Sequence, residues 1–186
     1  IIYAITRALI PSIIALCPFF ELSKRLLDSV LSMLLPAVPT ARIKKECIDN
    51  DAYTLCVITT LLSGKERDSE LFEKLERYYL ANRNAEYATF GILGDLFDSD
   101  SETSECDSDA IAFARAKIGE LNEKYGDRFA LFMRKRVFSE SEQRYMGRER
   151  KRGAVCDIIA LIGGDERDFN TIIMPNGLLN KTKYLI

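Results

Sequence analysis

The densest chemistry in the sequence lies in Arg144-Tyr-Met-Gly-Arg-Glu-Arg-Lys-Arg-Gly153, where five cations fall within ten residues. Arginine forks and a lysine point charge suit the oxygens of a pyrophosphate, and a glycine at position 153 lets a backbone approach closely. A charge run equally forms a solvated basic face, or a patch for RNA or anionic lipid, and composition leaves those readings open. Two other places offer groups to a ligand. Thr60 sits in Thr59-Thr60-Leu61-Leu62-Ser63-Gly64, at the end of an apolar, β-branched run, and Asp95 follows a second apolar run. An aspartate leaving a buried strand can accept hydrogen bonds from a ribose hydroxyl or a uracil N–H, and it can equally cap a turn or a helix.

Other chemistries are excluded by what the chain lacks. It has no histidine, which removes the common zinc site and any Ser-His or Cys-His nucleophile. Its five cysteines, Cys17, Cys47, Cys56, Cys106 and Cys156, are scattered without a C-x-x-C pair, which fits a reducing compartment. A net charge of -2 and a pI near 5.4 argue against a chain dedicated to nucleic acid. Ser63-Gly64-Lys65 lacks the earlier glycine of a P-loop. Gly163-Gly-Asp-Glu166 is similar to the G-G-D-E-F signature of diguanylate cyclases, but Arg167 replaces its phenylalanine and no D-x-x-F-K-x-x-N-D stretch lies upstream. The acidic, serine-rich residues 98–109 read as a solvent-exposed loop. Asp98, Asp100 and Asp107 there would bind a cation weakly at most.

A framework must hold these groups, and 186 residues with 47% hydrophobic content suffice for one core. Residues 54–60 and 87–93 are expected as buried strands. Residues 68–80 form a helix with Leu71, Leu75 and Tyr79 on one face, and Ile111, Ala114, Ile118, Leu121 and Tyr125 mark another that stops at Gly126. A third strand over 128–133, a helix over 148–162 closed by Gly163-Gly164, and strands over 170–174 and 183–186 around an Asn176-Gly177 turn complete the pattern. Such alternation predicts an α/β fold: a mostly parallel sheet with helices on both faces and ligands at the carboxyl ends of the strands.

Residues 1–40 differ from the rest. The apolar stretch 8–20 is shorter than the ~20 residues of a spanning helix and is broken up by Pro11 and Pro18. Over 21–35, Leu22, Leu26, Val30, Met33 and Leu34 share one helical face, opposite Lys24, Arg25, Asp28, Ser29 and Ser32. This helix either covers the core of a soluble domain or lies at a membrane interface. Pro36 and Pro39 are expected to end it, dividing the chain into 1–40 and 41–186. The chain starts without methionine and stops inside an expected strand, and so reads as the first half of a longer domain.

Tyr145-Met-Gly-Arg-Glu-Arg-Lys-Arg-Gly153 resembles the W-M-G-W-E-R-K-R-G segment of the bacterial cyclic β-1,2-glucan synthases, with Tyr145 and Arg148 in place of the tryptophans. Val57-Ile-Thr-Thr-Leu-Leu62 resembles their V-V-P-T-L-L strand end, with Thr59 in place of the proline. Leu75-Glu-Arg-Tyr-Tyr-Leu-Ala-Asn82 is similar to L-E-x-R-Y-L-A-N, and Phe90-Gly-Ile-Leu-Gly-Asp95 to F-A-L-L-T-D. Ile118-Gly-Glu-Leu-Asn-Glu-Lys-Tyr125 is similar to I-x-x-L-N-x-R-Y, and Lys183-Tyr-Leu-Ile186 to the strand leading into T-L-D-A-D-T. The ordered set covers roughly residues 36–186.

The resemblance implies a GT-A-like, Rossmann-type sheet in a glycosyltransferase of the bacterial inner membrane, with this domain on the cytoplasmic side. It implies inverting transfer of glucose from UDP-glucose to a growing β-1,2-glucan acceptor. Thr60 and Asp95 would lie near the nucleotide, and Lys151, Arg152 and Gly153 near the diphosphate. A divalent metal, Mg or Mn, would have its ligands beyond Ile186, as would the catalytic base, leaving residues 1–186 inactive alone. The competing expectation is a non-catalytic α/β scaffold module of a large membrane-associated carbohydrate-active protein.

Overall fold

The computed structural model describes residues 2–35, 48, 51–64, 66–166, 168–175 and 178–186. The chain divides into two compact units, Ile1–Lys44 and Lys45–Ile186. The first contains α1 (Ile2–Leu34). Contrary to the sequence reading, α1 runs unbroken through Pro11 and Pro18. Each proline removes one bond from the ladder, and the helix continues past both. Leu22, Leu26, Val30, Met33 and Leu34 are all exposed. Among the described residues, no helix is long and apolar enough to cross a membrane. Pro36 and Pro39 lie outside the described residues.

In the second unit the expected alternation is realised. In order come β1 (Thr54–Leu62), α2 (Glu66–Ala81), β2 (Ala88–Leu96), α3 (Asp107–Tyr125), β3 (Phe129–Arg134), β4 (Val137–Ser139), β5 (Arg144–Met146), α4 (Arg150–Ile162), β6 (Phe169–Ile173) and β7 (Tyr184–Leu185), with a 3-10 turn at Leu179–Lys181. The five-stranded sheet has the order β6-β3-β2-β1-β7. β1, β2, β3 and β7 are parallel, and β6 is antiparallel on β3.

Side-chain alternation along the strands separates two cores. Leu62, Phe90, Ile92, Phe129, Leu131 and Met133 pack with Phe72 and Leu75 of α2 and Ala114, Ile118 and Leu121 of α3. Leu55, Leu93, Ala130 and Phe132 pack with Ala154, Ile158 and Leu161 of α4 on the opposite face. Helices therefore cover both faces, which is why the strands are apolar almost throughout.

Two local readings change. β6 and β7 do not form a hairpin, since they occupy opposite edges of the sheet. Pairing with β3 and β1 overrides the local Asn176-Gly177 signal, and those two residues lie outside the described set. The stretch between β3 and α4 also holds a separate β4–β5 hairpin. Arg144–Met146 is therefore strand, and the helix begins at Arg150 rather than 148. Gly163-Gly164 closes α4 with the Asp165 N–H donating to the Ala160 carbonyl and the Gly164 N–H to that of Leu161. Gly164 takes the required positive φ of 98°. The residues similar to a cyclase signature are thus a helix cap.

Candidate functional site

The chain leaves β1 for β2 and β3 on one side and returns as β7 on the other. In an open α/β sheet, a crevice at the carboxyl ends of strands beside such a reversal is the place for a ligand. A cavity of about 250 Å³ lies there, lined by Thr59, Thr60 and Leu61 of β1, Leu93 and Asp95 of β2, Asp98, Gly147, and Arg150, Lys151 and Ala154 of α4. Three residues selected from the sequence, Thr60, Asp95 and Lys151, therefore meet at one place. The register pairs Leu61 with Asp95 and Thr60 with Gly94. Thr59 thus shares the sheet face of Asp95, whereas Thr60 belongs to the opposite face and also lines a second cavity with Ser63 and Asp68.

Asp95 is not a free carboxylate. Arg134, at the end of β3, donates from Nε to Oδ1 and from Nη2 to Oδ2, both at 2.7 Å. Its Nη1 donates to Oδ2 of Asp157 in α4 at 2.6 Å, and Arg148 pairs with the other oxygen of Asp157. Two arginines and two aspartates thus balance in charge, with Arg134 and Asp157 buried and Arg148 reaching in from the surface. Burial alone would depress the Arg134 guanidinium, but the hydrogen bonds and charges of Asp95 and Asp157 hold it above its ordinary pKa. The hydrogen bond to Asp157 likewise raises that of Arg148.

The basic segment divides by role. Lys151 is exposed, lines the cavity and makes no ion pair among the described residues. Arg150 also lines it, with Nη2 2.9 Å from Oδ2 of Asp98. Arg152 does not line it: its side chain is 83% exposed, and its Nε lies 3.6 Å from Oε2 of Glu149. Gly153 is buried, and a Cβ there would overlap the Arg148 carbonyl oxygen. Its close approach is to its own chain, outside the cavity lining.

The acidic loop is anchored rather than free. Asp98 pairs with Arg150, Asp100 with Arg144 and Asp107 with Arg136, and Ser99 bridges Tyr145 through two backbone bonds. Among the described residues, no group of three or more His, Cys, Asp or Glu could hold a metal ion. The groups present therefore do not by themselves fit a divalent metal. The backbone N–H groups of Ser63 and Gly64, which a P-loop would offer to phosphate, donate instead to Oδ2 of Asp68 at 2.7 and 2.6 Å.

No family model matches the chain. It is 34% identical over 176 residues to the cyclic beta-(1,2)-glucan synthase NdvB of Rhizobium meliloti (strain 1021). This chain is homologous to part of a cyclic β-(1,2)-glucan synthase. The match covers 91% of the chain and 6% of that relative. The cavity, the Arg134 network and the basic segment all belong to the α/β unit of this glucan-synthase homologue. Sequence reasoning missed Arg134 and Asp157. Their one signal was a charge at the end of the apolar run Phe-Ala-Leu-Phe-Met-Arg and an aspartate on the buried face of α4.

Proposed function

We propose that this chain forms the nucleotide-binding half of a GT-A glycosyltransferase domain that transfers glucose from UDP-glucose to a growing β-1,2-glucan with inversion. The observation that carries this reading is the convergence of Thr60, Asp95 and Lys151 on one strand-end cavity in a chain homologous to part of a glucan synthase. In such a transfer an acceptor hydroxyl attacks the anomeric carbon. The bond from that carbon to the diphosphate oxygen breaks, UDP leaves with the electron pair, and the hydroxyl proton passes to a base.

Each lining group has a task. Lys151 and Arg150 offset the charge that develops on the departing diphosphate. The hydroxyls of Thr59 and Thr60 and the spare lone pairs of Asp95 bind ribose and uracil. Arg152 supports this field from outside the cavity, and Gly153 shapes the turn. The base and the ligands of a divalent metal belong to sequence outside residues 1–186, so residues 1–186 alone should not transfer sugar. The domain would work at the cytoplasmic face of a bacterial inner membrane, with α1 lying at the interface.

The test is glucan synthesis from labelled UDP-glucose and Mg²⁺ by the full-length protein in membranes, with and without Lys151→Ala. Lys151 is preferable to Asp95 because Asp95→Ala would strip buried Arg134 of one of its two carboxylate partners. Labelled β-1,2-glucan that falls about ten-fold in the variant, as expected for losing one charge-assisted contact, supports the reading. No product from any UDP-sugar by folded protein favours the scaffold module instead.

A further inference from the structure

We propose that Arg134 is the positioning residue of the donor site: its guanidinium ties Asp95 at the end of β2 to the turn that carries Arg150 and Lys151 to the cavity. This role rests on the donor-site reading above. A guanidinium has five N–H donors in a fixed fork and no acceptor. Arg134 meets five acceptors: both oxygens of Asp95, Oδ2 of Asp157, and the carbonyl oxygens of Arg148 at 3.1 Å and Arg150 at 3.0 Å. The side chain is 1% exposed. It is absent from the cavity lining and so acts through its partners.

The turn needs such a hold. Glu149 and Arg150 both take left-handed backbone, with φ of 48° and 45°. That region is disfavoured for side chains with a Cβ, and two such residues in succession persist only when their surroundings impose them. The two carbonyls that Arg134 grips flank Glu149 on either side, so the grip acts at the strained bond pair itself. Gly147 and Gly153 permit the approach, since a Cβ at either would lie within 3.2 Å of an Arg134 nitrogen. Lys151 follows directly, and its direction towards the cavity depends on this turn. A lysine at position 134 would keep the charge, but its three donors radiate from one atom and cannot span Asp95, Asp157 and both carbonyls.

The experiment compares wild type, Arg134→Lys and Arg134→Ala in the full-length protein. It reads thermal unfolding, amide hydrogen exchange over residues 148–153 and over α2, and affinity for UDP-glucose. In folded Arg134→Lys, exchange over 148–153 should rise at least ten-fold with α2 unchanged, and the Kd for UDP-glucose should rise about ten-fold. Low-millimolar guanidinium, but not ammonium, should restore both in Arg134→Ala, an effect that a general loss of stability would not produce. Wild-type exchange over 148–153 and wild-type affinity in folded Arg134→Lys would overturn the proposal. If the wild type itself does not bind UDP-glucose, the donor-site reading fails, and exchange over 148–153 still decides whether Arg134 holds the turn.

Discussion

A Cβ on Gly147 would stand 2.6 Å from Oδ2 of Asp95 and 2.8 Å from Nη2 of Arg134. Both neighbours are charged and bonded to each other, so neither can move without opening the pair. Gly147→Ala should therefore cost about 1–3 kcal/mol, the usual penalty for overpacking a filled site, and should weaken UDP-glucose binding with it. Thermal unfolding and titration of the variant test this. Wild-type values for both would mean that the Asp95–Arg134 pair is less fixed than its geometry indicates.

Gly153→Ala should be worse than Gly147→Ala. The obstructing atom is the Arg148 backbone carbonyl oxygen, which also accepts from Arg134 at 3.1 Å. Backbone cannot swing aside as a side chain can, so the first turn of α4 would have to shift. Gly119 in α3 is the control, because nothing lies within 4 Å of a Cβ there. Gly119→Ala should stabilise by about 0.4–1 kcal/mol through the unfolded chain. Thermal melts that rank the three variants differently would contradict this account.

These glycines mark how far the sequence could be read. The strands β1, β2 and β3 and the helices α2, α3 and α4 were legible because strands buried on both faces are continuously apolar and helices repeat at their own period. The rule that ligand groups gather at carboxyl strand ends pointed to Thr60 and Asp95, whereas Lys151, in the first turn of α4, was singled out by the basic segment and the family resemblance. Arg134 was not legible, because it lies 39 residues from Asp95 and 23 from Asp157, and no local signal joins them. The three-residue strands β4 and β5 are too short to show a period. Gly153 was read as room for a ligand, since a sequence cannot say which backbone comes close.

Lys151 and Arg152 are adjacent, yet they should behave differently. Lys151 lines the cavity without an ion-pair partner among the described residues, whereas Arg152 points away beside Glu149. Lys151→Ala should weaken UDP-glucose binding about ten-fold, the loss of one charge-assisted hydrogen bond. Arg152→Ala should change it less than about two-fold, as for a screened surface charge. Comparable losses in both variants, measured by titration, would place the diphosphate across the turn rather than in the cavity.

Asp107, at the start of α3, receives hydrogen bonds from Arg136 and from the Ser104 N–H. Arg136 also donates to the carbonyls of Phe97 and Glu102, so this pair holds the acidic loop against the sheet. Burial works to raise the Asp107 carboxyl, but the bonds from Arg136 and Ser104 outweigh it and hold the group below its ordinary range. A carboxyl with a depressed folded pKa stabilises fully above its unfolded value of about 3.9 and loses that contribution as pH falls through the folded value. Asp107→Asn should therefore cost about 3 kcal/mol at neutral pH, as expected for leaving Arg136 buried without its counter-charge. The gap between wild type and variant should hold down to about pH 4 and narrow below it. Denaturant unfolding at a series of pH values reads this directly. A gap that stays constant to the acid limit would mean that Asp107 contributes through shape and neutral hydrogen bonding, with its charge playing no part in anchoring the loop.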